Sequence, residues 1–215
     1  FLRQMGEAPV IYDRERTVQA LGNMQLVMHN MGYLNAEVFL QETTKKNRIK
    51  INYHIVPHEQ YKIRNLTLNV QDEALEQTLD SLGYRPAISS ETGVGSKTYS
   101  ANELDAERSR IYDLLIENGY YKFNKEYVHF RVDTTLGHHL ADVEMIVKKA
   151  QNEIDSTDYS HHRFHIGNIY YEQISDKPFL RPKVLRNATA IGNGQLYRES
   201  KMHETYARMS RLSAV

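Results

Sequence analysis

Ten histidines and 27 carboxylates are the side chains with most chemistry to offer in these 215 residues, and their spacing decides what they could do. His161, His162 and His165 crowd together, with His138 and His139 as a second group. Residues 161 and 165 could share one face of a helix or of a strand, and residues 164–171 read as a strand. A tetrahedral zinc site still needs further ligands beside them, so these histidines are expected to be solvated loop residues without a metal. Asp105 with Glu103 and Glu107 offers paired carboxylates of the kind that glycoside hydrolysis uses. They fall in the first turns of a predicted helix, where negative charge suits the macrodipole, and that structural role is expected of them. Gly93-Val94-Gly95-Ser96-Lys97 holds a Gly-x-Gly and a lysine but lacks the full phosphate-loop spacing, and it reads as a loop between helices. Cysteine is absent, which removes disulfides, thiol nucleophiles and cysteine-ligated metals together. Fifteen tyrosines could stack on single-stranded nucleic acid, but 27 basic residues are balanced by 27 acidic ones, leaving no net field for phosphate backbones. No catalytic residue, cofactor, metal or nucleic-acid partner is expected.

What must position these side chains is a pattern that the chain states twice. Met31-Gly32-Tyr33-Leu34-Asn35-Ala36-Glu37-Val38 is followed by a strand at 48–56 and then by Tyr61-Lys62-Ile63-Arg64-Asn65-Leu66. Asn118-Gly119-Tyr120-Tyr121-Lys122-Phe123 is followed by strands at 127–133 and 141–147 and then by Phe164-His165-Ile166-Gly167-Asn168-Ile169. Self-similarity at a spacing of about 90 residues signals an array of small modules. Hydrophobic residues at 40% and charged residues at 25% suit globular modules, and no apolar run approaches the roughly 20 residues that cross a bilayer.

Periodicity sets the order of elements. Val18, Leu21, Gln25 and Met28, with Leu26 near the seam, predict a helix over 14–30, and Gly32 stands where a helix end wants a left-handed residue. Alternating strands follow at 36–41 and 48–55 around a polar turn at 43–47. After the boundary Pro57-His58-Glu59-Gln60 comes a strand at 61–70, then a helix at 72–82 through Leu75, Leu79 and Leu82, stopped by Gly83 and Pro86. A Gly- and Ser-rich loop at 89–97 leads to Ser100 and Glu103, a capping box opening a helix to Asn118. A hairpin at 127–133 and 140–148 and a polar boundary at 151–160 complete the copy. The order restarts with a strand at 164–173, a helix at 181–190, the loop Gly192-Asn193-Gly194 and a helix from Glu199. The unit is β-α-α-β-β, a three-stranded mixed sheet with two helices on one face. Three modules are expected: 1–58 without its first strand, 59–150 complete, and 161–215 ending after its second helix, within a polypeptide that reads as part of something longer.

This order, with Gly32-Tyr33 and Gly119-Tyr120 before the hairpins and the strand openings Tyr61-x-Ile63-x-Asn65 and Phe164-x-Ile166-x-Asn168, resembles the POTRA (polypeptide-transport-associated) domain. The pattern at Tyr99, Ser100 and Leu104, echoed by Tyr197 and Met202, fits as well. Gly119-Tyr120-Tyr121-x-Phe123-Asn124 with Val128-x-Phe130-x-Val132-Asp133 looks most like the translocation and assembly module branch, especially its lipoprotein variant. The resemblance implies an α+β array in the periplasm, tethered to the outer membrane through a C-terminal β-barrel of the same polypeptide. Its implied partners are unfolded outer-membrane protein clients or periplasmic assembly partners.

The resemblance also places the open sheet edge on the first strand of each hairpin: Ala36, Glu37, Val38, Phe39, Leu40 and Gln41, then Tyr127, Val128, His129, Phe130, Arg131 and Val132. An open edge offers unpaired amides and carbonyls to an extended partner, so strand addition is the expected binding mode. Lys122, Lys125, His129 and Arg131 are expected to guard the second edge, whereas Phe39 leaves the first more adhesive. Gly32, Tyr33, Gly119 and Tyr120 are expected as helix caps and core anchors. The short link at 57–61 implies a stiff joint, and the longer one at 151–163 implies more rotation. A spacer that docks one fixed partner without binding clients is the rival reading.

Overall fold

The computed structural model describes residues 11–87, 97–135, 137–151, 157–173 and 180–212. The expected loop at 89–97, including all but Lys97 of the Gly-x-Gly segment, and much of the boundary at 151–160 lie outside them. Contacts divide the chain into two compact units, Phe1–Asn65 with Ser90–Glu103 and Asp133–Asp142, and Leu66–Ser89 with Leu104–Val132 and Val143–Val215.

In the first unit, helix α1 (Arg14–Asn30) starts where Asp13 accepts the N–H groups of Glu15 and Arg16, the usual use of an aspartate before a helix. Strands β1 (Glu37–Lys45) and β2 (Arg48–Val56) pair antiparallel from Glu37↔Val56 to Lys45↔Arg48. The expected turn at 43–47 shrinks to Lys46 and Asn47, because Thr43 and Thr44 continue the ladder and Lys46 takes the left-handed φ of 56°. Ala36 is buried ahead of the strand rather than lying in it. The helix turns Leu21, Gln25 and Met28 inward, half-buried as expected, but Thr17 is buried in place of Val18, which is 54% exposed, and Leu26 at the seam is 57% exposed. Tyr53 on β2 donates its hydroxyl to the Thr17 carbonyl, which fixes that face.

Strand β3 (Lys62–Val70) runs through both units and belongs to a four-stranded sheet of order β4-β3-β6-β5. Its companions are β4 (Lys97–Thr98), β5 (Val128–Asp133) and β6 (Leu140–Val147). The fourth strand, beyond the three expected, is two residues long and pairs antiparallel with Lys62 and Ile63. Tyr127, expected as the first residue of the hairpin strand, instead closes a single 3-10 turn, Lys125–Tyr127, that Asn124 caps.

The second unit is built around helices α2 (Glu73–Ser81) and α3 (Ala101–Glu117). Leu75, Leu79, Ile111, Leu115, Ile116, Tyr120, Phe123, Val128, Met145 and Val147 form its core. Leucines four apart on α2 and apolar residues at 111, 115 and 116 on α3 place these side chains on one stripe of each helix. Two short strands, β7 (Ala150–Gln151) and β8 (Asp158–Tyr159), pair in the expected boundary. The expected strand over 164–173 is reduced to one bridge, His165↔Leu196, within an extended segment. Helices α4 (Pro182–Ala188) and α5 (Glu199–Leu212) follow.

Candidate functional site

Unpaired backbone along an edge strand is the chemistry that the sequence singled out. Strand β5 ends the order of its sheet, and β1 lies in a sheet of two strands. Along β5 the side chains alternate: Val128 is buried, Phe130 and Val132 are half-buried, and His129, Arg131 and Asp133 are exposed. The Arg108 side chain donates to the Val128 carbonyl at 3.0 Å while its guanidinium lies 5.4 Å from the centre of the Phe130 ring. Arg131 pairs with Glu144 at 3.2 Å. Burial, Lys148 and Arg108 together hold the His129 imidazole below the usual histidine range.

Two of the expected guards act elsewhere. Lys125 donates to the Ser109 hydroxyl, and Lys122 lies over the Phe164 ring. On β1, Phe39 is 49% exposed opposite His54, which bonds Gln41 at 3.0 Å.

The glycine-tyrosine pairs do more than cap helices. At the end of α1 the Gly32 N–H reaches the His29 carbonyl and the Tyr33 N–H reaches Met28; at the end of α3, Gly119 and Tyr120 reach Ile116 and Leu115. That is a Schellman closure, with φ of +91° and +96° at the two glycines. Each glycine carbonyl then accepts the N–H of the aromatic that opens the next stretch, Tyr61 at 2.9 Å and Phe164 at 2.8 Å. Those aromatics in turn accept the N–H groups of Tyr99 at 2.8 Å and Tyr197 at 2.9 Å. The same relay therefore occurs at both places. Tyr120 is a buried anchor whose hydroxyl meets Thr78 at 2.7 Å, whereas Tyr33 is half-buried.

The histidines separate. His161 is 5% exposed, not a solvated loop residue, while His162 and His165 are exposed. The Oδ2 of Asp72, a fully buried residue, accepts the His161 N–H at 2.6 Å, and its Oδ1 caps α2 through Ala74 and Leu75. The His161 ring contacts the Lys148 carbonyl at 3.1 Å through Nε2 and packs edge-on against Tyr127. Burial holds its imidazole below the usual range. Arg163 reaches the Thr78 hydroxyl and lies over Tyr120. Residues 161, 163 and 164 are thus bonded to the cap of α2, to α2 and to the end of α3. Among the described residues, no group of His, Asp or Glu is arranged to hold a metal ion.

The carboxylates separate too. Asp105 pairs with Arg108 on its own helix, but Glu107 is 3% exposed and faces inward, not into solvent at the helix start. It accepts from the Tyr84 hydroxyl, the Arg110 guanidinium and the Ala87 N–H. Burial and this carboxylate push the Tyr84 phenol far up. The sequence marked Glu107 only as a first-turn carboxylate, residue 72 only as the start of a helix and Arg163 not at all, because a buried polar partner is set by tertiary packing. The third pair, Gly83-Tyr84, was legible and closes α2 in the same way: the Tyr84 N–H reaches Leu79.

A module of one strand, two helices and a hairpin, with the hairpin's first strand on the edge of the sheet, is the POTRA fold. The chain carries that fold: it aligns with POTRA domains 3–5 of BamA from Haemophilus influenzae over 98% of its own length and 78% of theirs, with a TM-score of 0.52 and 14% identity. Weaker likenesses are to BamA from Haemophilus ducreyi lacking POTRA domains 1–3 (TM-score 0.42, 16% identity, 70% of this chain and 26% of that one). POTRA domains 1–3 of the periplasmic domain of Omp85 from Anabaena give 0.34 and 7%, over 99% and 76%. No family model matches the sequence, and no curated protein sequence matches it. Among the described residues no helix is long and apolar enough to cross a membrane.

Proposed function

We propose that the chain is a periplasmic POTRA segment of an outer-membrane protein assembly or translocation factor. It acts without catalysis, binds extended clients or assembly partners by strand addition, and passes them toward a membrane β-barrel of the same polypeptide, which tethers it. Its modules are 1–58, 59–150 and 161–215. The observation that carries this reading is the position of β5 at the end of a POTRA-fold sheet, with His129, Arg131 and Asp133 turned to solvent. Backbone pairing of that kind tolerates many client sequences, because main-chain bonds supply the affinity. Since Arg108 already occupies the Val128 carbonyl, pairing begins beyond it.

Photo-crosslinking residues placed at His129 and Arg131 in the full-length protein test this. Capture of unfolded barrel strands is expected. Capture of one fixed partner and no client would overturn client binding in favour of the spacer reading, which the bonded joints at Gly32 and Gly119 support.

A further inference from the structure

Three helices end on the same device, which separates what a glycine does for a helix from what it does for a joint. Gly32, Gly83 and Gly119 all have left-handed φ, and each is followed by a tyrosine whose N–H reaches back to a helix carbonyl. A Cβ added at Gly83 would meet nothing within 4 Å. One at Gly32 would overlap the Tyr99 carbonyl oxygen, and one at Gly119 would lie 2.6 Å from Leu196 Cδ1. Left-handed closure alone therefore explains Gly83, but at Gly32 and Gly119 something sits against the glycine itself.

Glu117 points the same way. It is the last residue of α3, where a negative charge is disfavoured by the helix's own dipole. Its carboxylate instead accepts both the N–H of Ser200 at 3.0 Å and its hydroxyl at 2.5 Å, in the first turn of α5. An acid placed badly for its own helix is placed well for the next one. Tyr121, 56% exposed, lies edge-on to both Phe164 and Tyr197.

We propose that Glu117, Gly119 and Tyr121 form a docking surface whose partner is the segment of this chain that leads into α5, read through Phe164, Leu196 and Ser200. Gly32 is its counterpart for the segment leading into α3. These contacts, not the length of the connecting stretch, set the angle at which α5 sits against α3. The two joints differ in one respect. Gly32 is covered by backbone, which cannot be trimmed, whereas Gly119 is covered by the end of a leucine side chain, so the second joint is adjustable by substitution. This inference does not depend on client binding.

The absence of native cysteine allows spin labels at Asp113→Cys and Ala207→Cys, both exposed positions on α3 and α5, in the whole chain. Pulsed dipolar spectroscopy of the parent is expected to give one narrow distance. Glu117→Ala and Gly119→Ala are each expected to lose it, Gly83→Ala to keep it, and Leu196→Ala added to Gly119→Ala to restore it in part. Retention of the parent distance in either Glu117→Ala or Gly119→Ala overturns the proposal. Should Gly119→Ala fail to fold, Glu117→Ala decides alone, because it removes no core side chain.

Discussion

Asp72→Ala is expected to be among the costliest single substitutions in the chain. The residue is fully buried, and its two oxygens do different work: Oδ1 accepts from Ala74 and Leu75, and Oδ2 from His161. Losing the cap costs about 1 kcal/mol. The His161 N–H, buried with its residue, is then left without its acceptor, which adds about 1–3 kcal/mol. The sum, about 2–4 kcal/mol, is a large share of the roughly 5–15 kcal/mol that stabilises a typical domain. Asn retains one oxygen, which serves either the helix or His161 but not both, so Asp72→Asn falls between wild type and alanine. Asp13 provides the control, since it caps α1 through Glu15 and Arg16 from an exposed position; Asp13→Ala is expected to cost about 1 kcal/mol. Urea titrations followed by far-UV circular dichroism read all three. Equal losses at Asp72 and Asp13 would refute the reasoning, because the cap alone would then account for both.

Acidification is expected to weaken the fold before the carboxylates titrate. His161 is held below the usual histidine range chiefly by burial, and the exposed His129 by partial desolvation with Lys148 and Arg108 beside it, so the unfolded chain binds protons more readily than the folded one. Their contribution is fully present above about pH 6.5 and is lost as pH falls toward the depressed values. Asp133, Asp142 and Glu204, all lowered, act only in the carboxylate range further down. Urea midpoints should therefore fall between about pH 7.5 and about pH 5, and His161→Gln should flatten part of that slope; a midpoint that rises on acidification contradicts the assignment. Glu107→Ala leaves the buried Tyr84 hydroxyl without its carboxylate acceptor and takes an ion-pair partner from Arg110, at about 2–3 kcal/mol, while Tyr84→Phe costs about 1 kcal/mol. Thermal melts of the pair check this, and a Glu107→Ala loss no larger than that of Tyr84→Phe would mean that the carboxylate is a surface group.

The helices were legible because period and caps agreed. Arg14–Asn30 shows as a periodic run between Asp13 and Gly32, and Asp72 and Gly83 bracket α2 in the same manner. The inward face of α1 was legible in half-buried Leu21, Gln25 and Met28, but not in its first turn, where Thr17 rather than Val18 is buried. Val18 and Leu26 are as apolar as Leu21 and Met28, and the choice falls to Tyr53, 36 residues after the Thr17 carbonyl it binds. Strand 164–173 was over-read for a related reason: Ile166 and Ile169 alternate as in a strand, but only His165 finds a ladder partner, at Leu196. Buried polar pairs such as Asp72 with His161 were beyond reach. A carboxylate before a helix looks the same in sequence whether its second oxygen faces water or a distant amide.

The repeated glycine-tyrosine pair links the joint to the strand that follows it. Left-handed closure at Gly119 ends α3, turns its carbonyl toward Phe164, and sends the chain through Tyr120 and Phe123 into the core before β5 begins at Val128. The same residue thus sets where α5 docks and where the edge strand starts. Gly32 does this for the segment entering α3 and for β1. Pairing at an edge depends on backbone position to within a fraction of an ångström, since an N–H···O bond weakens quickly away from about 2.9 Å. A glycine that serves both a joint and an edge strand ties the start of each edge to the helix before it, while leaving the strand's outward side chains free to vary. On the proposed client reading, a fixed start holds the β5 backbone in the position that an extended segment needs for pairing.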